Sequence, residues 1–112
     1  RDDYEIWKVI SDADKGDSEA KQKLGYQLAQ GQKLQQDFDT AADLFLEAAR
    51  AGVTVAQFNI GLCYETGHGV RENLEKARSW YQRSANNGHQ SAKDRLRELD
   101  DSNSEHDDDL PF

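Results

Sequence analysis

The feature that most restricts this chain is a repeat: displaced by 36 positions, the sequence falls back onto its own pattern. Gly16, Gly52 and Gly88 share one column, Ala20, Ala56 and Ala92 another, and Leu24, Ile60 and Leu96 a third. Self-similarity at this period marks an all-α stack of helix-turn-helix units, none of which can bury its apolar face alone. The 112 residues leave room for one domain and no second one. Hydrophobic residues at 36% and charged residues at 32% suit amphipathic helices whose outer faces stay wet. No apolar run approaches the roughly 20 residues that a bilayer demands.

Taken in order, residues 1–15 read as an N-terminal capping helix, half a unit whose first helix is missing. Tyr4, Trp7, Val9 and Ile10 give it an apolar stripe, Val9 aligns with Phe45 and Tyr81, and Ala13 aligns with Ala49 and Ala85. Repeat unit one occupies 16–51 and unit two 52–87. In unit two Thr54 and Gln57 predict a capping box, Gly67 ends the first helix in the left-handed conformation, and Asn73 caps the second, as Asp37 does one unit earlier. Ala77, Trp80 and Tyr81 form the inner face of that second helix. Gly25 and Gly61 let helix backbones approach closely, while Tyr26, Phe58 and Trp80 are expected to fill the gaps between them. A truncated third unit, 88–99, carries Ala92, Leu96 and Leu99 but places Arg97 and Glu98 where unit two has Gly61 and Leu62, as suits a cap with a solvated face. Residues 100–112 form an acidic tail with too little apolar surface to order itself.

Six of the eight net negative charges come from Asp100, Asp101, Glu105, Asp107, Asp108 and Asp109, which leaves −2 for the rest. Neither part offers the cation stripe that direct phosphate-backbone binding requires. Cys63 is the lone cysteine, so an internal disulfide is impossible, and a reducing compartment fits best. A cytoplasmic location is expected; the absence of Met at position 1 leaves a periplasmic or secreted one open. Gly67-His68-Gly69 follows no strand and precedes no Lys-Ser or Lys-Thr pair, so it reads as a helix-ending turn and not as a phosphate cradle. His68, His89, His106 and Cys63 lack paired ligand spacing, and helix packing already accounts for a small, soft side chain at Cys63. No matched acid and base can be selected among the scattered carboxylates. The expectation is a non-enzyme with no catalytic residues, cofactor, metal, direct nucleic-acid contact or membrane contact.

The run Ala56-Gln57-Phe58-Asn59-Ile60-Gly61-Leu62-Cys63-Tyr64, followed by Gly67-His68-Gly69-Val70, Leu74-Glu75-Lys76-Ala77 and Trp80-Tyr81, resembles the Sel-1-like repeat, a relative of the tetratricopeptide repeat. The likeness covers 16–99 and departs from the pattern at Gln32-Lys33-Leu34, where unit two has His68-Gly69-Val70. The resemblance implies a right-handed α-solenoid of period 36 that serves as a scaffold or adaptor for other proteins. By the same resemblance the first helix of each pair lines a groove, here Glu19, Gln22 and Tyr26, then Val55, Phe58, Leu62 and Glu65. That groove is one candidate site for a partner peptide.

The second candidate is the hexapeptide Asp107-Asp108-Asp109-Leu110-Pro111-Phe112. It resembles the acidic tip of bacterial single-stranded DNA-binding protein, with Leu110 where Ile is usual. The resemblance implies a bacterial adaptor whose tail is a ligand for replication or repair enzymes that read that tip. The chemistry agrees: Phe112 can enter an apolar pocket, Leu110 adds a second contact, Pro111 holds the backbone extended, and the Asp run favours a basic rim. Two alternatives stand beside it, a groove that binds a partner while the tail is passive, and self-association of tail in groove. A joined segment following the Ser102-Asn103-Ser104 linker is a further reading.

Overall fold

In the computed structural model residues 2–31 and 34–108 are described, with side chains described for 6–31 and 34–101. They form six helices and no strand: α1 (Asp2–Asp14), α2 (Ser18–Gln30), α3 (Phe38–Arg50), α4 (Thr54–Thr66), α5 (Leu74–Asn86) and α6 (Gln90–Asp108). Each helix packs chiefly on the next in the chain, so the helices stack into an all-α solenoid. The radius of gyration is 15.9 Å and the extents are 61 × 26 × 21 Å. A compact chain of this length would have a radius near ~13 Å.

The repeat reproduces itself at atomic detail. Gly16, Gly52 and Gly88 have φ of 96°, 97° and 93°, and their amides bond to Ala13, Ala49 and Ala85 carbonyls respectively. The left-handed backbone there costs an L side chain strain, which is why the column is glycine. Asp37 and Asn73 cap α3 and α5 through the amides of Thr40 and Lys76, as the sequence predicts, and Gly67 closes α4 at φ 76°. The α4 start differs from expectation. Val53 occupies the cap without a side-chain bond and Thr54 is already helical. No capping box forms, because the Gln57 amide is used elsewhere, donating to Ala49 O at 3.2 Å and accepting from Asn87 Nδ2 at 3.0 Å. In the same column Asp17 caps α2 and His89 Nδ1 accepts from Ala92 N at the start of α6.

The core is Ala41, Ala42, Phe45, Ala48 and Ala49 from α3 with Ala56, Ile60 and Cys63 from α4. Ala77, Tyr81, Ser84 and Ala85 continue the buried line along α5, and Ser84 Oγ, fully buried, donates to Thr54 O. The two helix glycines mark the closest approaches: a Cβ on Gly61 would stand 2.6 Å from Tyr81 ring carbons, and one on Gly25 would stand 2.9 Å from the Phe45 ring.

Three side chains depart from the expected packing. Trp7 is 64% exposed, because on a helix the inward line runs through Ile6, Val9, Ile10 and Ala13 and leaves Trp7 on the flank. Tyr26 is 49% exposed and fills no gap, and Trp80 is only half-buried beneath the Arg83 guanidinium. The chain also stays helical beyond Leu99, where the tail was expected to lose order. Asp100 pairs with Arg78 of α5, and neither Gly nor Pro interrupts α6 before Asp108.

Candidate functional site

The first-type helices α2 and α4 stand side by side over α3, and an open cleft of about 170 Å³ lies between them. Phe45 and Cys63 supply its apolar floor, Leu62 and Ala29 its flanks, and Tyr26 its exposed rim. One end is walled by Phe38 and His68, whose rings stack with centroids 4.4 Å apart. Thr66 fixes that wall: its hydroxyl donates to Leu62 O at 2.8 Å and lies 2.8 Å from His68 Nδ1. A hydroxyl has a single proton, so with Thr66 donating to Leu62 O the imidazole donates through Nδ1. Asn59 adds a polar handle, since its amide nitrogen is shielded from solvent and has no hydrogen-bond partner.

The corresponding space between α4 and α6 is closed. Phe58 stacks on His89 at 4.9 Å and tilts against Tyr81 at 5.5 Å. Below them Tyr81 Oη donates to Glu65 Oε1 at 2.6 Å, and Arg95 grips both Glu65 oxygens. The Arg95 guanidinium holds Glu65 below the usual carboxylate range, while burial pushes the Tyr81 phenol up. Two-point contact of this kind is geometrically specific and joins α4, α5 and α6.

The groove residues read from the sequence therefore separate. Tyr26 and Leu62 come together on the open cleft; Phe58 and Glu65 are held by α5 and α6; Gln22 is 7% exposed; Val55 is exposed on the first turn of α4; Glu19 is exposed on α2. Of the tail, Asp107 and Asp108 lie in the last turn of α6 with side chains outside the described set, and Asp109, Leu110, Pro111 and Phe112 lie outside the described residues. Gln32 and Lys33, where unit one leaves the repeat pattern, are outside them too. Asn59, Phe38 and Thr66 are cleft residues that sequence reasoning missed. Phe38 and His68 are 30 positions apart, and only the packing of α3 against the α4 turn joins them; the absence of a charge at Asn59, in a column that otherwise holds Lys23 and Arg95, was the one visible signal.

Cys63 shares the cleft with His68, but burial raises its thiol to about 11, so it stays protonated and is no activated nucleophile. Among the described residues no group of three His, Cys, Asp or Glu side chains converges to hold a metal ion, and no helix is long and apolar enough to cross a membrane.

The profile of the Sel1 repeat matches residues 18–53 and 54–89, two successive units of 36. The chain belongs to the Sel1 repeat family. Over 87 residues, 78% of this chain, it is 40% identical to DAP3-binding cell death enhancer 1 of Rattus norvegicus, covering 17% of that protein. Chitin synthase regulator SKT5 of Saccharomyces cerevisiae is 39% identical over 88 residues, 77% of this chain and 13% of that protein. The chain thus spans less than a fifth of these relatives. Among solved structures, the Sel1 repeat protein from Oxalobacter formigenes superposes with a TM-score of 0.82 at 34% identity, covering 88% of this chain and 74% of the other. Cysteine rich protein B of Helicobacter pylori shares the fold, with a TM-score of 0.78 at 17% identity over 86% of this chain and 72% of the other. The Sel1 solenoid is therefore the frame on which the α2–α4 cleft is built.

Proposed function

We propose that this Sel1 repeat chain is a non-catalytic protein–protein interaction module that holds an extended segment of a partner protein in the cleft between α2 and α4. Sel1 and related helical repeats generally mediate protein–protein contacts, and a printed name such as DAP3-binding cell death enhancer 1 agrees with that role in a relative. The observation that carries the reading is the contrast between the two inter-unit spaces. The α4–α6 space is filled by Phe58, His89 and the Glu65–Arg95 pair, whereas the α2–α4 space is left open with the Asn59 amide unpaired. An unpaired shielded donor costs about 1–3 kcal/mol, which a peptide carbonyl arriving in the cleft would recover. Tyr26 supplies an aromatic rim and Leu62 an apolar contact for alternate side chains of that segment.

Peptides selected from a random library on the wild-type chain test this. Their affinity should fall about tenfold or more for Tyr26→Ala, whose residue is 49% exposed at the cleft rim, with the helical circular dichroism unchanged. Equal affinity for both proteins refutes the cleft.

A second reading rests on the sequence of Asp107–Phe112. In it the tail is a ligand for replication or repair enzymes that recognise the tip of bacterial single-stranded DNA-binding protein. Titrating the chain into a labelled tip peptide bound to such an enzyme should displace the peptide, and Phe112→Ala should abolish displacement. No displacement by the wild-type chain rules that reading out.

A further inference from the structure

A second cleft, of about 330 Å³, lies at the other side of α2, between α1 and α2. Its apolar lining is Ile6, Val9, Leu24 and Leu34. One repeat later those positions are Ala42, Phe45, Ile60 and Val70, which are core or packed against it, with Leu28 and Ala29 of α2 laid over them. The α1–α2 cleft is thus a core surface of the solenoid that no helix among the described residues covers. Among its described lining residues the charged ones are Lys8 and Lys23, and Asp12 stands beside them, paired with Lys8 at 2.9 Å. Lys15 also lies within electrostatic reach of the same region, since it acts with Lys8 and Lys23 on Asp12.

We propose that this cleft receives the segment Asp107–Phe112 of a second copy of the chain. The segment presents Leu110, Pro111 and Phe112 behind Asp107, Asp108 and Asp109, an apolar group with an acidic flank that matches an apolar cleft with a lysine rim. The α2–α4 cleft has no lysine in its described lining and does not offer that match. Lys8 is already paired with Asp12, so the exposed Lys23 carries the match.

Reach decides that the donor is another molecule. α1 and α6 are at opposite ends of a stack 61 Å long, in which each helix packs chiefly on the next. The four residues after Asp108 extend at most about 14 Å. Joining the tail of one copy to the first cleft of the next is head-to-tail and produces chains of molecules, not a closed two-fold dimer. The α6 face cannot substitute for the tail by extending the solenoid: Arg97 stands in the column of Gly25 and Gly61, where close helix approach needs no side chain at all.

Sedimentation of the full chain over a concentration series tests the proposal. The wild-type average mass should rise with concentration. Two full-length variants, Phe112→Ala and the exposed-site charge reversal Lys23→Glu, should each move half-association to about tenfold higher concentration or more. Free Asp-Asp-Asp-Leu-Pro-Phe peptide should disperse the wild-type assemblies. A wild-type chain that stays monomeric overturns the proposal, as does association that survives both substitutions. Association lost in Tyr26→Ala but kept in Lys23→Glu also overturns it, by locating the tail in the α2–α4 cleft.

Discussion

Gly61→Ala is the most direct test of how this solenoid is held together. The added Cβ would stand 2.6 Å from both Cδ1 and Cε1 of Tyr81, whereas carbons at rest keep about 3.5–4.0 Å, so roughly 1 Å of separation must be found. The ring cannot supply it. Tyr81 is fully buried, Phe58 leans on one side, and its hydroxyl is tied to Glu65 at 2.6 Å. The helices α4 and α5 must part instead, at an overpacking cost of about 1–3 kcal/mol. Alanine regains about 0.5–1 kcal/mol over glycine in a helix, so the net loss falls within about 0–2.5 kcal/mol, near 1.3 kcal/mol at mid-range. For a chain of this size the mid-range loss lowers Tm by roughly 5 °C in a thermal melt followed by circular dichroism. Gly25→Ala should lose less, because its nearest ring atom is 2.9 Å away and Phe45 has no hydroxyl anchor. The decisive comparison is a cycle with Tyr81→Leu: once the ring is gone, the alanine should become neutral or stabilising. A Gly61→Ala protein at least as stable as wild type refutes the reasoning, as does a penalty that persists without the ring.

Two further outcomes follow from the caps and the buried charge. Asn73→Ala should destabilise the chain by about 1 kcal/mol in urea, and Thr54→Ala by much less, because Asn73 bonds the Lys76 amide while Thr54 caps nothing; equal losses would restore the capping box. Glu65 has its folded pKa depressed below the ordinary 4.5, so its contribution is present above that value and is lost as pH falls through the folded one. The drop in urea midpoint between about pH 7 and pH 3 should therefore be larger for wild type than for Glu65→Gln, and identical drops would show that the Arg95 pair adds nothing.

Much of the architecture is legible in the sequence. A period of 36 with glycine, alanine and leucine columns specifies stacked helix pairs, because only that arrangement needs small residues at fixed contacts and a left-handed turn at fixed intervals. Gly16, Gly52 and Gly88 and the caps at Asp37 and Asn73 follow from residue chemistry acting over a few positions, and the small residue at Gly61 marks where a second helix comes close. The errors were of a different kind. Thr54 matches a capping pattern, but Gln57 is taken by Ala49 and Asn87, partners eight and thirty residues away. Trp7 and Tyr26 are large and apolar enough to be core, yet exposure depends on which neighbour a helix face meets.

The sequence by itself determined that this protein is an all-helical repeat, since local periodicity and turn chemistry act within each unit and do not wait for its neighbours. Only the tertiary structure decided which inter-unit space is filled and which is open. Phe58 and Tyr26 are both aromatic residues on first-type helices, but Phe58 finds His89 and Tyr81 beside it, while Tyr26 borders an open cleft. Glu65 is an exposed-looking acid until Arg95, thirty residues on, closes over it. Such outcomes depend on side chains distant in the chain meeting across stacked units, and packing geometry fixes those meetings, not the pattern within any one repeat.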